Sequence, residues 1–402
     1  MSNPSRVRVP GPLTSFAEGF AAELAKQGYR PNSAAYQLQL LAHLSRWLAA
    51  KGLDATTLTA SVLKEFLAAR RSQGYTLWLS PKALAPLVGY LRGIGFAVSA
   101  PKAALSPTEA LLARYRRYLL DTRGLVATTA RGYLDMVRPF VATRVIDGEL
   151  DWVGLRPDDV TGFVLSTSDG RSIGSAKLAV TALRSLLGYL HVEGLIPRPL
   201  GAVIPSVAGW RLAGLPRSLE PGEVQRLLAA CDRRTRTGRR DFAMLTLLVR
   251  LGLRAGEVHS LNLEDIDWRA GELVVRGKGN RVERLPLPAD VGQAVAAYLR
   301  RGRPVTAQGR TVFVRVHAPH HPLSSGGVTQ AVVAAASRAG LGQVSAHRLR
   351  HTVATQMVRS GVPLPEVGQV LRHRRLITTA IYAKVDREGL RLLARPWPGG
   401  AT

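Results

Sequence analysis

The sequence predicts a mainly α-helical protein with one small antiparallel β-sheet in its carboxyl-terminal half. Most of the chain places apolar residues at helical spacing between Gly and Pro residues. Two β-rich runs flank a Gly-Lys-Gly-Asn turn within residues 272–288, which predicts a hairpin. The length of 402 residues allows two or three domains at roughly 150 residues each, so a sizeable core can form.

Helical patterns occupy the first half of the chain, and no strand pattern is evident there. The predicted helices are 16–27, 33–51, 59–72 and 82–93, followed by 108–122, 128–146, 157–166 and 172–193. Two tracts indicate an internal repeat: LVGYLRGIGF (87–96) matches LLGYLHVEGL (186–195), and residues 25–41 parallel residues 121–137. Duplication of a small helical bundle is one explanation, and chance likeness of two helical hairpins is the other.

The second half mixes helices with short strands. Predicted helices at 221–231 and 241–251 precede the hairpin, and residues 311–316 (TVFVRV) could add a third strand. Further helices are expected at 327–339, 347–360, 363–371 and 386–395. The predicted domains are a helical module at 1–96, a second at 107–196, a Pro/Gly-rich linker at 197–218 and a final domain at 219–402.

The charge points to a polyanionic partner. The chain carries 55 basic against 28 acidic residues, a formal net charge of +27, and 47 of the basic residues are arginine. Nucleic acid is the commonest partner for such a surface, although an arginine-rich solvated surface is the alternative. The single Cys231 excludes an intrachain disulfide, and no signal peptide or membrane span is evident, so we expect a soluble cytosolic protein with no membrane partner.

Four segments of the last domain resemble the tyrosine recombinase (phage integrase) family in order and spacing. They are LGLRAGEVHSLNLEDIDW (251–268), RGKGNRVERL (276–285), SAHRLRHTVATQM (345–357) and VLRHRRLITTAIYAKV (370–385). The resemblance implies an α+β catalytic domain preceded by a SAM-like core-binding bundle, which residues 107–196 would form. The internal repeat, rather than the resemblance, predicts that residues 1–96 form a second such bundle, which either adds contacts to DNA or a neighbouring protomer or only packs against the first.

The resemblance also implies roles for individual residues. The catalytic set is Arg254, Lys278, His347, Arg350, His373 and the nucleophile Tyr382, with Glu257 supporting Arg254. Where the family usually has Gly before the second histidine, this chain has Arg372. DNA contacts are expected from Arg281, Arg348, Arg372, Arg374 and Arg375.

These residue types suit phosphodiester cleavage. Two permanently charged, bidentate guanidiniums, Arg254 and Arg350, would stabilise the negative charge that develops on the non-bridging oxygens. A phenol near pKa 10 needs proton removal or nearby cations before it attacks. The leaving 5′ oxygen needs a proton that arginine cannot supply, so Lys278 is the expected general acid. From residue 201 onwards the only other lysine is Lys384.

Other chemistry is less consistent with the sequence. His347 and His351 have the spacing of a helical zinc pair, yet no Glu lies between them. The histidines 317, 320 and 321 suit a polar loop, and no phosphate-binding loop motif indicates ATP use, so no metal or cofactor is expected. The arginines at 233, 234, 236, 239 and 240 are equally consistent with phosphate-facing and solvated positions.

The predicted function is site-specific DNA recombination through a 3′-phosphotyrosine intermediate, in the service of a mobile element. We expect double-stranded DNA as substrate, a homotetramer at synapsis, with or without partner recombinases, and a nucleoid-associated location in a bacterium. The segment 386–402 would dock on a neighbouring protomer or pack on its own domain. A non-catalytic DNA-binding protein on the same fold and a type IB topoisomerase remain the alternatives.

Overall fold

The computed structural model describes residues 4–96, 105–208, 217–277, 281–373 and 375–385. Helices dominate and strands are short, which confirms the predicted mainly α fold with a small antiparallel sheet. Contacts divide the chain into two compact units, Met1–Ser99 with Gly214–Thr402, and Ala100–Ala213. Within the described ranges, no helix is both long and apolar enough to span a bilayer. Lys278, Arg374, the tail 386–402, residues 97–104 between the two predicted helical modules, and residues 209–216 of the predicted linker lie outside those ranges.

The first part of unit one is a helical bundle. Its helices are α1 (Ala17–Lys26), α2 (Pro31–Ala50), α3 (Ala60–Ser72) and α4 (Pro81–Gly93). Proline opens both α2 and α4, where its missing N–H costs no helical hydrogen bond. The apolar faces enclose a core that includes Phe20, Leu24, Leu41, Phe66 and Leu87.

Unit two is also a helical bundle, with one strand pair. Its helices are α5 (Pro107–Arg117), α6 (Ala127–Ala142), α7 (Pro157–Ser168) and α8 (Ile173–Val192). Tyr115, Tyr118 and Tyr189 pack ring against ring in its core. The helix predicted to reach Ile146 stops at Ala142, because the Asp147-Gly148 pair turns the chain into a hairpin of β1 (Val145–Ile146) and β2 (Glu149–Leu150). The expectation of no strand in the first half was therefore wrong.

The two bundles end corresponding helices in the same way. Gly95 after α4 and Gly194 after α8 both have positive φ, 76° and 69°. The hydrogen bonds around each glycine have the same spacing. After α4, Gly95 N donates to Arg92 O and Phe96 N donates to Leu91 O. After α8, Gly194 N donates to His191 O and Leu195 N donates to Leu190 O. This is the Schellman pattern that closes a helix with glycine.

The second part of unit one begins with three helices and a sheet. They are α9 (Pro221–Ala229), α10 (Arg236–Leu251), α11 (Ala255–His259), β3 (Ile266–Asp267), β4 (Glu272–Arg276) and β5 (Val282–Pro286). The strands are antiparallel in the order β3–β4–β5, with Leu273 opposite Leu285. The predicted hairpin is present, but its third strand is β3 rather than residues 311–316. Val312, Phe313 and Val314 are consecutive and all buried, so that segment crosses the core and makes only isolated bridges.

The remaining helices complete the core of this part. They are α12 (Ala289–Arg301), α13 (Ser325–Arg338), α14 (Ala346–Arg359) and α15 (Leu364–Val370), followed by 3₁₀ turns at Leu376–Thr378 and Ala380–Val385. We did not predict α12, although Val291, Val295 and Tyr298 lie at helical spacing and are buried. Helix α10 lies along α12 and also packs on α14, which carries side chains of the site described next.

Candidate active site

Three regions of unit one supply the side chains of the candidate site. Arg254 is the residue immediately before α11, and His347, Arg350 and His351 lie on α14. His373 and Tyr382 follow α15, and Tyr382 lies within the Ala380–Val385 turn. Helix α14 begins at a serine cap, where the Ser345 hydroxyl accepts a hydrogen bond from Arg348 N at 3.2 Å. The cap sets where α14 begins, and helical geometry then places His347 and His351 one turn apart on one face.

Glu257 links the first of the four sequence segments, 251–268, to the last, 370–385. Its carboxylate is buried, and it accepts from Arg254 Nη1 at 2.6 Å, from Arg254 N at 2.9 Å and from Arg372 Nη2 at 3.0 Å. Burial alone would raise the pKa of Glu257, but the charges of Arg372 and Arg254 and their hydrogen bonds outweigh it and hold that pKa below its ordinary value. Glu257 is therefore an anion that orients two guanidiniums.

Arg372 occupies a position that the family pattern fills with glycine. Its φ is 56°, in the left-handed region that glycine adopts without strain. The side chain is 5% exposed, and it bonds Glu257 and the Val370 carbonyl. Arg372 therefore faces the interior of the site rather than the surface, and its buried ion pair offsets the backbone strain.

Arg350 is buried, and its guanidinium connects α14 to the backbone that follows α10 and α15. Its Nη1 donates to Gly252 O at 2.5 Å, and its Nη2 donates to Leu371 O. Burial and the neighbouring charges of Arg254 and Arg372 lower the pKa of Arg350 to about 9. At neutral pH the group stays charged, so three guanidiniums meet one carboxylate and the site attracts anions.

Tyr382 is 2% exposed, and its hydroxyl contacts a histidine. The hydroxyl oxygen lies 2.7 Å from Nδ1 of His351. Burial raises the pKa of Tyr382 to about 12, although the charge of Arg350 opposes the rise. Burial, with His347 and Arg350, lowers the pKa of His351 to about 4, so its imidazole is neutral. With the imidazole proton on Nε2, the phenol donates to Nδ1, and His351 can accept its proton.

The other two histidines flank this pair. The rings of His347 and His351 meet edge to face at 4.4 Å between centroids. His373 lies parallel to the Tyr382 ring at 6.4 Å, and its Nδ1 is 2.7 Å from the Thr379 hydroxyl. Burial and the charges of Arg350 and Arg254 lower the pKa of His373 to about 4 and shift the pKa of His347 in the same direction.

A cavity of about 400 Å³ opens beside these residues. Arg254, Glu257, Arg372, His373 and Thr378 line it, together with the hairpin residues Val275, Gly277, Arg281 and Glu283. Gly277 N donates to Arg281 O at 2.8 Å, which closes the hairpin across residues 278–280. Lys278 lies outside the described residues, and the described residues on either side of 278–280, Gly277 and Arg281, both line the cavity.

The remaining predicted DNA contacts differ in position. Arg281 is exposed at the cavity, and Arg375 is exposed after the His373 turn. Arg348 directs Nη1 to the carbonyl of Gln343 at 3.2 Å. Arg374 lies outside the described residues.

The contact between His351 and the tyrosine was not predicted from the sequence. His351 entered there only as a zinc partner of His347, although the same i, i+4 spacing places both imidazoles on one helix face toward a shared group. What the sequence could not show is that the Ala380–Val385 turn lies against that face.

Comparison with known proteins identifies related chains. Residues 217–388 match the model of the phage integrase family. The chain is 40% identical over 401 residues to y4rA of Sinorhizobium fredii, a protein assigned to the integrases and recombinases, and the match covers 97% of this chain and 96% of that one. It is 29% identical over 282 residues to tyrosine recombinase XerD of Listeria monocytogenes, covering 69% of this chain and 94% of XerD. A structure of a lambda integrase tetramer bound to a Holliday junction matches in fold, with a TM-score of 0.52, 17% identity and coverage of 81% and 92%.

Proposed function

Because this chain belongs to the phage integrase family of tyrosine recombinases, enzymes that break and rejoin DNA strands, we propose that Tyr382 is its nucleophile. The observation that supports this most directly is the 2.7 Å contact between the Tyr382 hydroxyl and a neutral histidine, His351, beside the guanidinium of Arg350. A base and a cation at one phenol are what its activation requires.

The proposed step is a transesterification at one phosphodiester. The Tyr382 oxygen bonds to phosphorus, its proton passes to His351, and the bond from phosphorus to the 5′ oxygen breaks. As the 5′ oxygen leaves, it takes a proton from Lys278 or, failing that, from the protonated form of His347. The products are a 3′-phosphotyrosine and a free 5′-hydroxyl. Attack by a 5′-hydroxyl on the phosphotyrosine reverses the step and rejoins a strand, so the bond energy is retained.

Arg254 and Arg350 would stabilise the charge on the non-bridging oxygens. The Arg254 side chain is 37% exposed and can meet a phosphate directly. Arg350 and Tyr382 are each 2% exposed, so we propose that this arrangement is a resting form. DNA binding would move the segment 375–385 and free the donors of Arg350 from the carbonyls of Gly252 and Leu371.

Substrate and assembly follow from the same family. We propose that the chain acts on double-stranded DNA as a homotetramer that joins two sites, as the lambda integrase structure is a tetramer on a junction. We further propose that it serves a mobile element. The bundle of residues 107–196 would bind the core site, and the sequence likeness of residues 87–96 to residues 186–195 supports a duplicated bundle at 1–96 that adds contacts.

Trapping of the covalent intermediate tests the proposal. On DNA fragments from the native host, with a nick that lets the cleaved end diffuse away, the wild-type protein should form an adduct that survives denaturant. Tyr382→Phe should bind the same DNA and form no adduct. Tyr298→Phe, the same change at another buried tyrosine of this unit, should retain the adduct. An adduct formed by Tyr382→Phe would assign the nucleophile elsewhere.

A further inference from the structure

A second cavity in unit one shares no lining residue with the cavity beside the candidate active site. It has a volume of about 450 Å³ and is formed by the turn between α1 and α2 together with the start of α10 and the loop after α12. The lining residues that matter here are Arg30, Ser33, Arg236, Thr306, His317 and His320. The volume is within the range of about 300 to 1,000 Å³ that small-ligand sites occupy.

The lining is cationic and polar without a counter-charge. The lining includes two arginines, two histidines and the hydroxyl-bearing residues Ser33, Thr306 and Tyr29, and no Asp or Glu is among the described lining residues. Arg30, Arg236 and His317 are also exposed to solvent. Across the described ranges, neither Arg30 nor Arg236 forms an ion pair, whereas many other arginines do, Arg254 and Arg276 among them. Cations that line the same cavity without a counter-charge repel one another, so an anion bound in the cavity is favoured.

The backbone of the turn between α1 and α2 approaches the loop after α12 closely at Gly28. Gly28 has a φ of 82°, and a β-carbon at that position would lie 2.4 Å from Thr306 Oγ1 and 2.7 Å from His320 Nε2. His320 Nδ1 donates to the Arg315 carbonyl at 2.9 Å, which fixes the orientation of the ring. The two loops therefore meet in direct contact, and the shape of the cavity does not depend on long flexible side chains alone.

The start of α2 adds to the positive potential. Helix α2 has 20 residues, and the side chain of its N-cap residue Arg30 makes no capping hydrogen bond. Backbone N–H groups in the first turn of such a helix have no intrahelical partner, and the helix dipole favours an anion there. Ser33, in that first turn, lines the cavity.

We propose that this cavity binds a phosphate group, which bridges the amino-terminal bundle to the loop after α12. The phosphate belongs either to a small phosphorylated molecule or to the DNA backbone, and both present the same chemistry. The cavity would bind the phosphate without hydrolysing it, since the chain has no phosphate-loop motif. The proposal does not depend on recombinase activity.

Titration of the full-length protein with pyrophosphate tests the site. Calorimetry at constant ionic strength, without DNA, should show saturable binding by wild type. Arg30→Gln with Arg236→Gln should weaken it at least tenfold, because both guanidiniums contact the anion. The matched control is Arg8→Gln with Arg269→Gln, which removes the same charge from exposed positions outside the cavity. It should bind pyrophosphate as wild type does.

Duplex DNA distinguishes the two sources of phosphate. If DNA supplies it, the double variant should lose DNA affinity, and the slope of log affinity against log salt should fall by about two relative to the control pair. If a small molecule supplies it, DNA affinity should match the control while pyrophosphate binding is lost. Equal behaviour of both double variants toward pyrophosphate and toward DNA would overturn the proposal.

Discussion

Tyr382 is held in a weakly nucleophilic form in this structure. Its hydroxyl is buried, its pKa is raised to about 12, and its partner His351 is neutral with a pKa of about 4. Transfer of a proton between groups with these values is unfavourable until the environment changes. A phosphate and its surrounding cations would lower the pKa of the phenol, which would couple nucleophile activation to DNA binding.

His351 should affect the chemical step more than DNA binding. His351→Ala removes the only hydrogen-bond partner found for the Tyr382 hydroxyl in the described residues. We expect adduct formation under saturating DNA to slow by about 10² to 10⁴, the usual range for a general base, with unchanged DNA affinity.

The exposed His321→Ala serves as the matched control and should cleave at the wild-type rate. Single-turnover kinetics on the nicked substrate measures the effect. A wild-type rate in His351→Ala would assign the proton to solvent or to another group.

Arg372 combines a strained backbone with a buried ion pair. Replacement by either Gly or Ala removes the bond to Glu257, and breaking a buried pair costs about 3 to 5 kcal/mol. We expect a loss near the lower end, because Arg254 still neutralises the carboxylate. Arg372→Ala should be less stable than Arg372→Gly by about 1 kcal/mol, since only glycine adopts φ of 56° freely.

Urea unfolding of the two variants measures both differences. Equal stability of the Gly and Ala variants would mean that the left-handed backbone carries no strain. Wild-type stability in Arg372→Ala, which loses the ion pair but keeps a non-glycine residue at φ of 56°, would mean that the ion pair contributes nothing net.

At the scale of elements, a glycine at a helix end contributes to stability differently from a glycine inside a helix, and α8 has one of each. Gly194 closes α8 with φ of 69°, while Gly188 lies inside α8 with open space around its α-carbon. The same residue type therefore has opposite effects at the two positions. At the helix end it permits the left-handed turn, and inside the helix it costs entropy.

Alanine substitution should reveal this difference in sign. Gly194→Ala should destabilise unit two by about 1 kcal/mol, because alanine disfavours positive φ. Gly188→Ala should stabilise it by up to about 1 kcal/mol through helix propensity. Thermal unfolding of the full chain compares them, and a shift of both variants in one direction would contradict the assigned helix end.

At the scale of the whole molecule, the charge of +27 dominates the expected interaction with DNA. Lys and Arg side chains that neutralise phosphates release counterions, so affinity falls as salt rises. If six or more phosphates are neutralised, the affinity for a duplex should fall by about 10³-fold or more between 50 and 200 mM salt. Fluorescence anisotropy with a labelled duplex measures the slope, and a flat dependence would exclude a mode based on backbone phosphates.

The sequence by itself determined the mainly α fold and the family, because both depend on patterns that are local in the chain. Apolar spacing predicts a helix from its own residues, and four short motifs in order identify the family. The same locality explains two errors. Residues 311–316 have strand composition but are buried in the core, and the helix predicted to reach Ile146 is ended by the Asp147-Gly148 turn.

Only the tertiary structure decided which groups meet. The contact between His351 and Tyr382 spans 31 positions, and that between Arg372 and Glu257 spans 115. Such pairs form because α14 packs against the Ala380–Val385 turn, and because Arg254, at the start of α11, donates to the Arg372 carbonyl. The sequence shows that histidine and arginine are present, but their partners and their pKa values depend on burial and on neighbouring charges, which only the folded chain sets.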